Sequence, residues 1–227
     1  MVALLAPASP AAAELDNCGS GGGNALVYDE RAGYGLDTIS ADINVHTGAV
    51  CNSDTSRGNV TYAYTSIDDK FAHYVNAGYR RYYGGPNLAA SAYSYTDATG
   101  YKNRVLYFEG LTVGLYYTFE VQFDTGRNCF SMTVRRGSTL FIDMGCAPRP
   151  GWYAPGIWRA RAGGSTAYVA SDVAGSNTVP VASRNMTVCP ALSNGTGCGS
   201  ARINHTSVSS RYFIRNVGAN YFDMGTR

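Results

Sequence analysis

Along residues 116–124, YYTFEVQFD, the apolar Tyr117, Phe119, Val121 and Phe123 alternate with Thr118, Glu120, Gln122 and Asp124. A period of two sends the first set to one face and the second to the other, which is the pattern of a half-buried β-strand. The same alternation, or a β-rich run, recurs at 25–29, 37–45, 59–66, 71–83, 90–97, 103–109, 115–124, 129–136, 139–144, 156–161, 165–170, 201–207 and 211–215. Gly, Pro, Asn, Asp and Ser separate these runs, as turns require. No stretch of about twelve residues keeps an apolar 3.6-residue period, so no long helix is predicted. Many short strands without helical crossovers pair antiparallel, and the predicted class is all-β: a two-sheet antiparallel β-sandwich of jelly-roll type. Residues 25–227 read as a single domain, and 14–24, ELDNCGSGGGN, as a flexible glycine-rich arm ahead of it.

The run 71–83, FAHYVNAGYRRYY, is the most aromatic of these strands. Alternation sets Tyr74, Asn76, Gly78, Arg80 and Tyr82 on one face, with His73, Val75, Ala77, Tyr79, Arg81 and Tyr83 on the other, more core-like face. Arg80 and Arg81 then point apart and form no double clamp. Aromatic faces stack on sugar C–H surfaces and arginine supplies directed donors, so Tyr74, Arg80, Tyr82 and Tyr83 are candidate ligand contacts. Trp152, in the proline- and glycine-rich loop APRPGWYAPG, and Trp158 join them. The plainer account of the same residues is a sandwich strand whose tyrosines pack with their hydroxyls at the rim.

Charge and cysteines narrow the setting. The formal net charge is +2, and charged residues make up 15% of the 227. No broad field for a nucleic-acid backbone or an anionic membrane arises, and nucleic acid is not an expected partner. Met1 to Ala13, MVALLAPASPAAA, resembles the tail of an export signal, and no later run reaches the roughly 20 apolar residues of a membrane span. The six cysteines include no CxxC pair and no Cys/His cluster for zinc, so disulfides in a secreted, extracellular protein are expected. In FSMTVRRGSTLFIDMG, 130–145, a Gly137-Ser138 loop suits a type II′ hairpin and sets Cys129 opposite Cys146. That register puts Phe130, Met132 and Val134 on the face opposite Leu140, Ile142 and Met144, so an irregularity is expected in the ladder. Cys189–Cys198 and Cys18–Cys51 complete the preferred pairing among those that six cysteines allow.

Catalytic patterns are sparse. Glu120, Gln122 and Asp124 share a strand face and Glu109 precedes them, making the best acidic constellation. His46, His73 and His205 are scattered, and no GxSxG elbow accompanies them. Asp68 and Asp69 are a weak calcium candidate beside a solvated turn; no other cofactor is expected. Asn59, Asn185, Asn194 and Asn204 begin NxT sequons.

Tyr74-Val75-Asn76-Ala77-Gly78-Tyr79-Arg80-Arg81-Tyr82, the strand 116–123, the hairpin 129–145, Trp158 and Asp172-Val173-Ala174-Gly175 follow an order of motifs: a QxGY strand, a YxFxV strand, a hairpin and an acidic or glycine turn. In this the chain resembles secreted bacterial proteins of the concanavalin A-like lectin/glucanase superfamily over roughly residues 60–180. That jelly roll is shared by lectins, glycosidases, polysaccharide lyases and, more distantly, glutamic peptidases. The resemblance implies fold before activity. Glycosidases of the fold carry paired carboxylates in an ExDxxE-like run, which is missing here. Glutamic peptidases pair a glutamate with a glutamine; Gln122 is the only glutamine, and Arg159-Ala160-Arg161 stands where relatives carry a glutamate after the tryptophan. The resulting expectation is a non-catalytic module for a saccharide or cell-surface glycoconjugate, with the arm as a site for a protein partner. The alternative is a glycan- or peptide-directed hydrolase or lyase using Glu109 and Glu120, with Gln122.

Overall fold

The computed structural model describes residues 23–32, 35–46, 61–68, 73–81, 87–97, 100–108, 110–148, 157–166, 174–190 and 197–227. The strands are β1 (Gly23–Ala32), β2 (Leu36–Asn44), β3 (Thr61–Asp68), β4 (Tyr74–Arg81), β5 (Asn87–Asp97), β6 (Gly100–Phe108), β7 (Tyr116–Asp124) and β8 (Cys129–Arg136). They continue as β9 (Thr139–Pro148), β10 (Ile157–Thr166), β11 (Val181–Pro190), β12 (Gly199–Ser200), β13 (His205–Val208), β14 (Tyr212–Arg215) and β15 (Phe222–Thr226). A seven-stranded sheet runs β13-β1-β10-β3-β4-β5-β6, and an eight-stranded sheet runs β14-β15-β11-β2-β7-β8-β9 with β12 beside β11. Every pairing between these strands is antiparallel. The fold is the predicted two-sheet sandwich. Among the described residues no helix is long and apolar enough to cross a membrane.

The sheets pack through the alternating sets that the pattern of the chain marks out. Ala25, Val27, Ala63, Ile67, Val75, Ala77, Tyr79, Ala160 and Ala162 of one sheet meet Ile39, Ile43, Phe119, Val121, Met132, Val134, Val188 and Phe222 of the other. Small residues on the seven-stranded side face large ones on the eight-stranded side, so the two layers interdigitate without overpacking. The buried Thr65 hydroxyl donates to the Phe119 carbonyl across the interface at 3.3 Å. Tyr79 also bridges the layers: its hydroxyl donates to Asn44 O at 3.3 Å and accepts the His46 N–H at 3.1 Å.

Three readings of the sequence change. The strands β11 and β15 were not predicted. In β11, Asn185 sits at φ 54 and a register shift against β2 falls between Arg184 and Thr187, so the strand lacks an unbroken period of two. β15 is a five-residue strand carrying Asp223 and Gly225, too short to stand out. Of the run predicted at 165–170, Ser165 and Thr166 continue β10 from the run predicted at 156–161, and 167–170 lie outside the described residues.

The third change is the register of the β8–β9 hairpin. Arg136 pairs with Thr139 around a Gly137 at φ 60, as a type II′ loop requires. Register shifts between Val134 and Arg135 and between Ser131 and Thr133 then leave Cys146 opposite Ser131 and Cys129 opposite Pro148. A single extra residue in β9 would have turned the cysteines to different faces; a second returns them to one face. They are bridged diagonally, with a Cα–Cα distance of 5.7 Å. Cys189–Cys198 is also formed, whereas Cys18 and Cys51 lie outside the described residues. β1 starts at Gly23, inside the stretch assigned to the arm, and the rest of that arm and the export signal fall outside as well.

Candidate functional site

With Ala63, Thr65 and Ile67 turned to the core, alternation turns Tyr64, Ser66 and Asp68 of β3 to the outer face of the seven-stranded sheet. On β10, Ala160 and Ala162 face the core while Arg159 and Arg161 face out, and on β1 Tyr28 and Glu30 do the same. Register aligns them. One cross-strand row reads Glu30, Arg159, Asp68, Tyr74, and the next reads His205, Tyr28, Arg161, Ser66, Asn76.

This outer face is unusually dry for the non-core side of a sheet. Asp68 is 4% exposed, Asn76 3% and Ser66 0%, and Leu26, Tyr28 and Tyr64 form a second apolar cluster separate from the main core. Asp68 accepts from Arg159 Nε at 2.5 Å through Oδ1, and its Oδ2 lies 3.4 Å from Arg161 Nε. Arg159 Nη1 stands 3.9 Å from Glu30 Oε1, too far for a hydrogen bond. Each guanidinium lies over a tyrosine ring at 5.3 Å from its centroid, Arg159 over Tyr28 and Arg161 over Tyr64. Tyr64 is paired with Gly78 on one side and Gly163 on the other, and a Cβ at either glycine would run into backbone of the neighbouring strand. The glycines thus let the strands close up around the ring. Burial pushes the Tyr28 phenol above its ordinary 10.0, an effect the Arg161 guanidinium partly offsets.

The predicted residues distribute unevenly over this arrangement. Tyr74 and Arg80 share the outer face of β4, as expected, and are half-buried. They stand at opposite ends of the strand, roughly 20 Å apart at about 3.3 Å per residue, so only Tyr74, paired with Asp68, belongs to the cluster. Trp158 falls on β10, with its side chain outside the description; Tyr82, Tyr83, Trp152, Glu109 and Asp69 lie outside the described residues. Glu120 and Gln122 project from the other sheet, on its outer face. Glu120 accepts from Thr133 Oγ1 at 3.3 Å and lies 3.7 Å from Arg135 Nε; Gln122 is exposed. The Asp68 carboxylate is engaged by guanidinium groups, and among the described residues no group of three or more His, Cys, Asp or Glu is placed to hold a metal ion. Arg159, Arg161, Glu30, Tyr28 and Tyr64 were not singled out as site residues. Their outward alternation is legible in Arg159-Ala160-Arg161, but their convergence depends on strand register.

No sequence-family model matches this chain, and no curated protein matches it. Solved structures do. One is Scytalido-glutamic peptidase with a peptide-based transition-state analogue, at TM-score 0.56 and 14% identity over 93% of this chain and 100% of that one. Another is SCP-B, a member of the eqolisin family of peptidases, in complex with the tripeptide Ala-Ile-His, at TM-score 0.53 and 15% identity with the same coverage. At that identity the likeness establishes the two-sheet fold. The matched structures are themselves peptidases, and the concanavalin A-like assignment read from sequence is not confirmed.

Proposed function

We propose that this protein is a secreted peptide-directed hydrolase working from the outer face of the seven-stranded sheet. The observation that carries the reading is the combination of a sandwich matched along the full length of two peptidases with a buried carboxylate–carboxamide pair on that face. Asp68 and Asn76 lie on adjacent strands as diagonal neighbours, about 7 Å apart by the usual strand geometry. Asn76 stands where the QxGY motif has glutamine. In this reading the Asp68 carboxylate accepts a proton from a water attacking the peptide carbonyl, the Asn76 amide donates to the oxygen on which charge develops, and the Asp68 carboxyl returns that proton to the leaving amine nitrogen as the C–N bond breaks. Tyr74, beside Asp68, lines the approach.

Glu120 with Gln122 is the competing pair. It has the right residue types, but both project from one strand of the other sheet, and Glu120 is tied to Thr133 and Arg135. Saccharide recognition through Tyr74 and Arg80 would use the same outer face, yet the compared structures act on or hold peptides, which favours the peptide reading. Cleavage of a quenched fluorescent peptide library from pH 3 to 8 tests the proposal. Asp68→Asn and Asn76→Ala should each lower kcat/KM by about 100-fold or more, with Glu120→Gln near wild type. Activity lost only in Glu120→Gln would move the centre to the other sheet, and glycan binding without any peptide turnover would replace the hydrolase reading.

A further inference from the structure

We infer that the free edge of β6 is a docking strip for an extended segment of another polypeptide, one that adds as a further strand and carries an Asp or Glu opposite Arg104.

Each sheet has two edge strands, and three of the four are blunted against further pairing. β13 and β14 are four residues each, and β9 bends at two register shifts and ends at Pro148. Short strands, bulges and proline are the usual means of closing an edge. β6 has none of them. It runs for nine residues, GYKNRVLYF, and pairs with β5 from Ala89↔Phe108 to Asp97↔Gly100 without a shift. Among the described residues no strand lies on its other side. Asp97 and Gly100 close the β5–β6 hairpin across two residues, and the closing pair of such a hairpin exchanges hydrogen bonds. Alternation then turns the backbone groups of Tyr101, Asn103, Val105 and Tyr107 toward the free edge, and those of the residues between them toward β5. Their donors and acceptors form the template that strand addition uses.

Charge selects the occupant. Lys102 and Arg104 stand two residues apart and share one face of a strand that carries no acid. The hairpin's single carboxylate, Asp97, is by register the diagonal neighbour of Lys102. Arg104 stands opposite Tyr93, is exposed, and among the described residues has no ion-pair partner. A second copy is the wrong partner, because a two-fold antiparallel pairing over all nine residues centres on Arg104 and sets that cation against its own copy. A strand with a carboxylate at that place gains an attractive cross-strand pair instead. Charges on an edge thus reject indiscriminate pairing and choose among strands by sign. β6 lies two strands beyond β4, so the strip is separate from Asp68 and Asn76 and does not depend on the hydrolase reading.

The probes are three capped, fluorescein-labelled nonapeptides. The first is Thr-Val-Thr-Val-Glu-Val-Thr-Val-Thr, and the second has Lys in place of Glu. The third is the Glu peptide N-methylated at its valines, whose N–H groups face β6 when Glu sits opposite Arg104. Anisotropy at low temperature should show the Glu peptide binding about fivefold tighter than the Lys peptide, and no binding of the methylated one. Arg104→Glu should reverse the order of the two charges. In wild type, amide hydrogen exchange followed by NMR should slow at Tyr101, Asn103, Val105 and Tyr107 when the Glu peptide binds, and stay as it was at Lys102, Arg104 and Leu106. Methylated peptide binding as well as its parent, protection on other strands instead, or a charge order that Arg104→Glu leaves unchanged overturns the inference. So does failure of both unmethylated peptides to bind. A concentration-dependent dimer of the free protein that protects the same four amides would replace the acidic segment with a second copy.

Discussion

His46 shows what burial does to one side chain. Desolvation holds its imidazole below the ordinary 6.5, while its backbone N–H is pinned to the Tyr79 hydroxyl. A folded value below the unfolded one favours the neutral form in the native state. The resulting stability is fully present above about pH 6.5 and is lost as pH falls through the lowered folded value. His46→Gln should therefore flatten the decline of Tm between pH 7 and pH 4.5; an unchanged slope would assign that decline to other groups. At the same scale, the face of each strand residue was readable from its neighbours. Tyr74, Asn76 and Arg80 fall on one side of β4 and Val75, Ala77 and Tyr79 on the other, as alternation requires. The partner across the gap was not readable, because a side chain's company on a sheet is set by strands far away in sequence.

Among the elements, the β8–β9 hairpin carries the sharpest test of register. Two extra residues in β9 let Ile142 and Met144 join the core side while both cysteines stay on the outer side. Deleting Phe141, at the first shift, removes that extra residue and leaves the pairs from Val134–Ile142 onward in register, so Cys146 should stay opposite Ser131 on the face of Cys129. The expected outcome is retention of that bridge, seen as no additional titratable thiols in denaturant and no mass gain of two protons after correction for the deletion. Loss of the bridge would mean that the ladder slips instead of closing at the deleted position. The need for an irregularity was visible in the conflict between apolar faces and cysteines. Its doubling was not, because bulges have no fixed residue signature. β11 was missed for a related reason: Ser183, Arg184 and Asn185 interrupt its apolar run where it bulges against β2.

For the whole molecule, the contact between sheets decides stability. Tyr79→Phe removes the hydroxyl that ties β4 to Asn44 and His46 and orphans two backbone groups in a largely dry interface. A loss of about 1–3 kcal/mol follows, or roughly 2–12 °C in Tm for a chain of this size. Thermal denaturation checks it, and a change below 1 °C would show that water replaces the hydroxyl. Alternation, turn residues and the absence of helical periodicity were enough to determine an all-β sandwich, its inward sets and the pairing Cys129–Cys146, because these follow from the chain's own period and local geometry. Strand order belonged to the tertiary structure alone. It carried β10 in beside β1 and β3, so that Arg159 and Arg161 meet Asp68 from β3 and Tyr28 and Glu30 from β1. Hydrogen-bonded neighbours in a sheet are chosen by how two whole layers cover each other's apolar faces, a balance that no short stretch of residues contains.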